Sequence, residues 1–572
     1  MTRYTRCMMH SVYWRGRGRG RIGVIAAALT AVLLLAGCVG IPTAGSVQTG
    51  PVIDNKLNPD FVVLPSDPRA GSSQEEILAD FMQAVRGPQN DYAVARKFLT
   101  KDLAESWDPD ARVDIRTAPA ATTTDTAGSS LDYTVTSHAY VDADGRYFEQ
   151  GQATQTLRFA FVKVNGEWRI SQAANGVVLS QSSFNVVFTK QALFFFDPSR
   201  TYLVPDVRWF PSRATVPVRI VRALLAGPAS WLGNGVLSTA FPVASALGSK
   251  GVTVQAGTAT IDLGKEALAA SPQDRALMRQ QLAATLGVST IDMTVNGLEL
   301  VAPESSNAIV NPAVEAATLL GAAGAVGFDS GDGMTPIAGL STKLVAAGAT
   351  TLTLSYDKQS AAFLGAGGVA YLARNGADQP LPLDRRGGLV APTIDPFIFV
   401  WSAQASSAAS LTTYGADGVQ HSVQSGLPAD ARLVSIDLSR DGTRLLVYLA
   451  TDVGPRLFVA GVIRGQDNTP TSLGELVSLS VSTNTPIDAT WVDDRTVATV
   501  SRDTGAASVT LFELGGPSLP LGQLGDALSI AGGSGGVDGL RVLRATGETY
   551  RPAGSGGWVS TGITATFLGT KQ

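Results

Sequence analysis

Few residues in this chain have the type and spacing for covalent chemistry, and the plainest is Cys38, which closes the run Leu35-Ala36-Gly37-Cys38. Residues 1–37 hold six arginines (Arg3, Arg6, Arg15, Arg17, Arg19, Arg21) and no Asp or Glu, and an apolar stretch runs from Ile22 to Ala36. That order is a signal peptide ending in a lipobox. The cations hold the start on the cytoplasmic side, the short apolar stretch enters the translocon, and the small Ala36 and Gly37 fit a peptidase cleft. The Cys38 thiol then takes a diacylglyceryl group, and two acyl chains anchor stably where one binds only marginally. About 15 apolar residues fall short of the roughly 20 that a spanning helix needs. The mature chain is therefore expected on the cell membrane, lipid-anchored on its extracytoplasmic face.

Other reactive patterns dissolve on inspection. The cysteines are Cys7 and Cys38 and the histidines His10, His138 and His421, so zinc-site spacing and a disulfide framework are absent. No metal and no cofactor are expected. Gly18-x-Gly20-x-x-Gly23 has the dinucleotide spelling but lies in the basic leader with no strand before it. Gly532-Gly533-Ser534-Gly535-Gly536 has the nucleophile-elbow spelling, yet that chemistry needs a strained strand-to-helix turn and a histidine partner, and the stretch reads as flexible filler. Asp142-x-Asp144-Gly145 starts like a calcium loop, but a strand begins before the closing carboxylate is due, so it reads as a hairpin turn. Asp493-Asp494 would point to opposite faces of a strand and reads as a turn rather than an acid/base pair. His138 lies on a strand, where a structural role outweighs a ligand-binding one, and Phe194-Phe195-Phe196 and Trp209-Phe210 read as core, or as a partner surface where exposed. No catalytic residue is assigned and an enzyme is not expected.

Removing the leader leaves 38 Lys and Arg against 48 Asp and Glu, a net charge of −10 that offers phosphate backbones no general attraction. Nucleic acid is not an expected partner. With 572 residues the chain exceeds one core, and 45% hydrophobic residues with 61 Gly and 29 Pro point to several turn-rich domains.

The patterning divides the chain into residues 1–37 as signal peptide, 38–72 as a lipidated tether, 73–185 and 186–310 as two mixed domains, 311–335 as a linker and 336–572 as an all-β unit. In the first domain Ser73 and Glu76 form a capping box ahead of Ile77, Leu78, Phe81, Met82 and Val85 on one helix face. A second helix is expected from Asp91 to Leu99, then alternating strands with turns at Asp142-Ala143-Asp144-Gly145 and Val164-Asn165-Gly166-Glu167. In the second, strands near Ala192–Phe196 and Tyr202–Trp209 precede a helix from Val216 to Ala226, a hairpin of Val252–Gln255 with Thr258–Asp262, a helix from Asp274 to Leu286 and a strand at Ile291 to Val295. In the third, strand-and-turn units recur near Asp357, Asp395, Asp441 and Asp493 at a spacing of tens of residues, as propeller blades require. Five to seven blades are expected.

The segment Phe161 to Ile170 resembles the closing hairpin of NTF2-like α+β domains. Leu224-Leu225-Ala226-Gly227-Pro228, Ala259-Thr260-Ile261-Asp262-Leu263 and Val295-Asn296-Gly297 resemble the α/β GerMN module of germination and sporulation proteins. Lipobox, NTF2-like region, GerMN module and propeller in that order resemble the actinobacterial LpqB lipoprotein family. The resemblance implies an accessory role beside the MtrA/MtrB two-component system, with the extracellular domain of an MtrB-like sensor kinase as partner. The alternative is a cell-envelope module that holds glycan or peptidoglycan fragments.

Overall fold

The computed structural model describes residues 65–124, 130–304, 317–329, 333–533, 535–554 and 556–572. Cys38, the expected signal peptide and most of the expected tether lie outside the described residues. Where the tether's end is described it is already held: Asp67 pairs with Lys97 at 2.7 Å and the Gly71 N–H donates to Glu167 at 2.8 Å. The first domain thus begins before residue 73, because these charges find partners on it.

Its first helix, Gln74–Ala84, starts where the capping box places it, with the Glu76 N–H donating to Ser73 Oγ at 3.2 Å and the Ser73 N–H to the Glu76 carboxylate at 2.8 Å. Ile77, Leu78, Phe81 and Val85 are buried by this face against the sheet. The next helical segment, Gln89–Arg96, opens with left-handed backbone at Asn90, Asp91 and Tyr92, and Lys101–Ser106 follows. The sheet runs in the order Glu167–Gln172, Tyr147–Val164, Ser130–Asp142, Arg112–Arg116, Val177–Ser180, with Ala121–Thr124 beside Ser130–Asp142. Its hairpins turn at the two expected places, through left-handed Asn165 and Gly166 in one and through Gly145 in the other.

The second domain pairs Phe188–Phe196 with Leu203–Pro211 and sets a four-stranded sheet, ordered Leu298–Glu299, Thr290–Val295, Thr258–Leu263, Leu247–Gln255, against the helices Val216–Ala226 and Pro272–Leu286. Thr258–Leu263 and Thr290–Val295 are parallel neighbours, which a hairpin cannot join, and Pro272–Leu286 is the crossover between them.

The third domain is a propeller of six four-stranded blades among the described residues. Five follow each other in sequence, beginning with the innermost strands Leu352–Leu354, Thr393–Ile394, Arg432–Leu438, Thr485–Trp491 and Ala527–Ala531. The sixth closes the ring: Phe567–Lys571 pairs antiparallel with Leu319–Ala322 and parallel with Leu352–Leu354. This corrects the expected linker 311–335. Strands Leu319–Ala322, Ala325–Asp329 and Met334–Pro336 belong to the closing blade, because a ring of blades needs its first and last segments in one sheet to remove an open edge.

The recurring aspartates make the first turn of four blades. Asp357 accepts the Gln359 N–H, Asp395 those of Phe397 and Phe399, Asp441 that of Thr443, and Asp493 those of Arg495 and Thr496, at 2.8–3.0 Å. Each is an Asx-type turn that saturates backbone donors which the hairpin leaves over. In the fifth blade a Cβ on Gly532 would sit 1.8 Å from the Trp491 carbonyl oxygen, so Gly532 is a close contact with the neighbouring blade rather than filler; Ser534 lies outside the described residues.

Candidate functional site at the three-domain junction

Side chains of the strand Leu203–Pro211 reach more than one domain. Val204 and Phe210 are buried in the second domain's own core. Trp209 instead faces outward to both neighbours. Its N–H donates to the Gly145 carbonyl at 2.7 Å, its ring lies 4.7 Å from Phe184 and 6.0 Å from Tyr147 of the first domain, and its Nε1–H donates to the Gly515 carbonyl of the propeller at 2.7 Å. Gly145 must be glycine for this approach, since its φ is +81° and a Cβ would meet the Trp209 carbonyl oxygen at 2.8 Å.

Charged pairs surround the tryptophan. Between the first two domains, Arg213 pairs with Asp91 (3.2 Å) and Asp110 (2.9 Å), Arg219 with Asp110 (2.8 Å), and the Arg213 guanidinium lies 4.9 Å over the Tyr92 ring. The left-handed turn at Asn90–Tyr92 is where that contact is made. Buried Arg208 pairs with Asp206 at 2.7 Å and also reaches the Asp144 carbonyl at 2.8 Å. Toward the propeller, Lys190 pairs with Glu513 (2.7 Å), Ser230 donates to Glu475 (2.9 Å) and Ser518 N–H to Glu149 (2.8 Å). A cavity of about 230 Å³ remains where the three domains meet, walled by Phe148, Val207, Trp231, Leu479 and Phe512. Inter-domain faces are ordinarily polar enough to slide. Here tilted ring contacts, ion pairs and backbone hydrogen bonds gather around one strand, and Lys56–Gln572 forms one compact unit.

The propeller axis carries a second polar cluster. Asp437 on the third blade accepts the Trp491 N–H and the Thr490 hydroxyl of the fourth, both at 2.9 Å, and Gln572 Nε2 bridges Asp437 and Thr393 at 3.2 Å each. Asp488 on the fourth blade accepts the Ile530 N–H of the fifth at 2.9 Å. Inner strands are thus stitched to each other by carboxylates. Burial pushes Asp437 up to about 6, its hydrogen bonds offsetting part of the effect; burial also pushes Asp488 up to about 7, with the Asp437 charge adding to it.

Unfolded, both groups ionise near 3.9. Between about pH 4 and 7 the folded chain therefore holds protons that the unfolded chain has released, and this contribution to stability is lost as pH rises through 6 to 7. The propeller's melting midpoint is expected to fall from pH 5 to pH 8, and Asp488→Asn to flatten the upper part of that fall. A midpoint that rises across this range, unchanged by Asp488→Asn, would contradict it. Asp262, Asp384 and Asp441 are lowered instead and titrate below the window.

The structure places the other singled-out residues in structural roles. Asp142 accepts the Asp144 and Arg146 N–H groups in its hairpin, at 3.0 and 2.9 Å. His138 Nε2 lies 2.9 Å from Gln181 Oε1. Asp262, at the heart of the GerMN-like motif, accepts the Gly297 N–H (2.9 Å) and the Thr294 hydroxyl (2.8 Å) and so locks two strands together. Phe195 and Phe196 are fully buried. In the sequence Trp209 reads as core, or as a partner surface where exposed, and Lys190, Arg213, Asp437 and Asp488 do not stand out. Lone charges carry no local signal, but Trp209 beside a strand-ending Pro211 was a feature that could have been followed.

Family models match the chain in three places: "Lipoprotein LpqB, N-terminal domain" over residues 67–185, "Sporulation and spore germination" over 192–301 and "Lipoprotein LpqB beta-propeller domain" over 324–542. Among curated relatives, Lipoprotein LpqB of Cutibacterium acnes is 32% identical over 284 residues, covering 48% of this chain and 47% of the relative. Lipoprotein LpqB of Nocardia farcinica is 29% identical over 283 residues, covering 48% and 46%. The alignments thus span about half the length of the curated relatives. Among solved structures, the Swd1 (Cps50) β-propeller domain covers 37% of this chain and 72% of that chain at 12% identity and a TM-score of 0.27, a likeness too slight to carry an inference. No helix among the described residues is long and apolar enough to cross a membrane. With its first folded domain and its propeller both matched under one family description, and the module between them matched as well, the chain belongs to the LpqB lipoprotein family.

Proposed function

We propose that this chain is a non-enzymatic accessory lipoprotein, held by Cys38 on the extracytoplasmic face of the membrane, that binds the extracellular domain of an MtrB-like sensor kinase and biases its signalling state. The observation that supports this reading best is the Trp209 junction. A partner can shift a two-state kinase only by fitting one state better than the other, and a binder whose domains are bolted together discriminates shapes that a flexible string of domains would follow. Lipid attachment would raise the local concentration of the two proteins beside each other.

Co-reconstitution in vesicles tests this. The lipidated chain is expected to change kinase autophosphorylation, and Cys38→Ser at the same total concentration to lose most of the effect. Output that is the same with and without the lipidated chain would count against the proposal.

A further inference from the structure

A cleft of about 460 Å³ opens in the first domain between the helix Gln74–Ala84 and the sheet, within the roughly 300–1,000 Å³ of small-molecule sites. Its floor is apolar: Leu78 and Leu179 are each 2% exposed and Met82 lies beside them. On the sheet side Tyr133 is half-buried and set edge-on to Phe159, ring centres 6.3 Å apart, so its ring is held in place. The hydroxyls of Ser182 and Ser183 are on the wall, and Ser183 N–H donates to Ser180 Oγ.

Arg86 and Arg116 also line this cleft, and their charges are unanswered. Arg69, Arg96, Arg112 and Arg146 of the same domain each pair with an aspartate within 3.2 Å. Among the described residues Arg86 and Arg116 have no such partner. Arg86 donates to the Gln83 side-chain oxygen and Arg116 to the Ala118 carbonyl, each at 2.7 Å, and Arg86 Nε is buried with no acceptor. Glu75 is the one carboxylate in the lining and is bonded to neither. The cleft between the first and second domains differs in its balance: Asp110, Asp142 and Asp144 line it, and of its arginines Arg146, Arg208 and Arg219 pair with aspartates while Arg222, among the described residues, does not.

We propose that this cleft binds an anionic, hydroxyl-rich ligand of sugar size. Arg86 and Arg116 would take its carboxylate or phosphate, the serines its hydroxyls, and Tyr133 with the apolar floor its C–H face. The site stands independently of any kinase partner.

Calorimetric titration of the chain Lys56–Gln572, one compact unit, tests it with inositol 1-phosphate and N-acetylmuramic acid against their uncharged counterparts myo-inositol and N-acetylglucosamine. At least one anionic probe is expected to bind saturably and about tenfold or more tighter than its counterpart. Which of the two it is distinguishes a phosphorylated from a carboxylated source. Arg116→Gln, at the end of the strand Arg112–Arg116, is expected to weaken that probe by about tenfold or more, and Arg86→Gln likewise. Equal binding of charged and uncharged probes, no saturation into the millimolar range, or affinity that survives both substitutions would overturn the proposal. The comparison of probes needs only the unaltered chain, so a substitution that unfolds the domain does not blur it.

Discussion

Asp395→Ala is expected to lower the stability of the propeller by about 3–5 kcal/mol, the effect of stranding a buried charge. The Asp395 and Arg464 side chains are 0% and 2% exposed and pair at 2.7 Å, joining the first turn of the second blade to a strand of the third. Asp395 also accepts the N–H groups of Phe397 and Phe399 and the indole N–H of Trp401, so its loss leaves backbone donors and a guanidinium without their acceptor. Arg464 keeps the Gly442 and Asn468 carbonyls, at 2.8 and 2.9 Å, but no anion. Asp395→Asn should lose less, since it retains an acceptor. The double replacement Asp395→Ala, Arg464→Met should recover part of the loss, because a well-packed apolar side chain replaces a stranded cation. Fluorescence of buried Trp401 during chemical denaturation reports this region, and a single variant that unfolds at the wild-type midpoint would show that the pair stabilises nothing.

Trp209→Ala is expected to act between domains rather than within one. Truncating a packed tryptophan costs about 3–5 kcal/mol, and here the lost contacts are those to Phe184, Tyr147 and the Gly515 carbonyl. The second domain keeps its core, because Phe195, Phe196, Ile220, Leu224 and Leu282 pack elsewhere. The expected result is a chain with three folded domains and a loosened junction, seen as new protease cleavage near Gly145 and Gly515 and a larger radius of gyration. Trp209→Phe should isolate the indole hydrogen bond, about 1 kcal/mol. Unchanged cleavage and dimensions in Trp209→Ala would mean that the ion pairs of Arg213 and Lys190 hold the junction alone.

What could be read in the sequence was local. Ser73 and Glu76 cap a helix because both partners sit within one turn, and Asp357, Asp395, Asp441 and Asp493 mark blades because each closes its own hairpin. The blade count was not legible, since the closing blade joins Leu319–Ala322 to Phe567–Lys571 across nearly the whole propeller. For the same reason residues 311–335 read as a linker: the three short strands that begin there have no partner in view until the last strand returns. The junction was hidden differently. Trp209 and Phe210 are adjacent aromatics on one strand, and only period-two alternation in three dimensions sends one into the core and the other across to two domains. Asp437 and Asp488 are two among 48 acidic residues, set apart only by the inner strands they stitch.

The reading of the chain as a rigid binder of a sensor kinase meets its most direct test in one titration: the extracellular domain of the cognate kinase with Lys56–Gln572, unaltered and as Trp209→Ala. Saturable binding by the unaltered chain is expected, and clearly weaker binding by the variant, whose domains remain folded but no longer share one geometry. No binding at high micromolar concentration, including with the chain tethered to vesicles to supply the membrane's effective concentration, would contradict it, as would equal binding by the loosened variant.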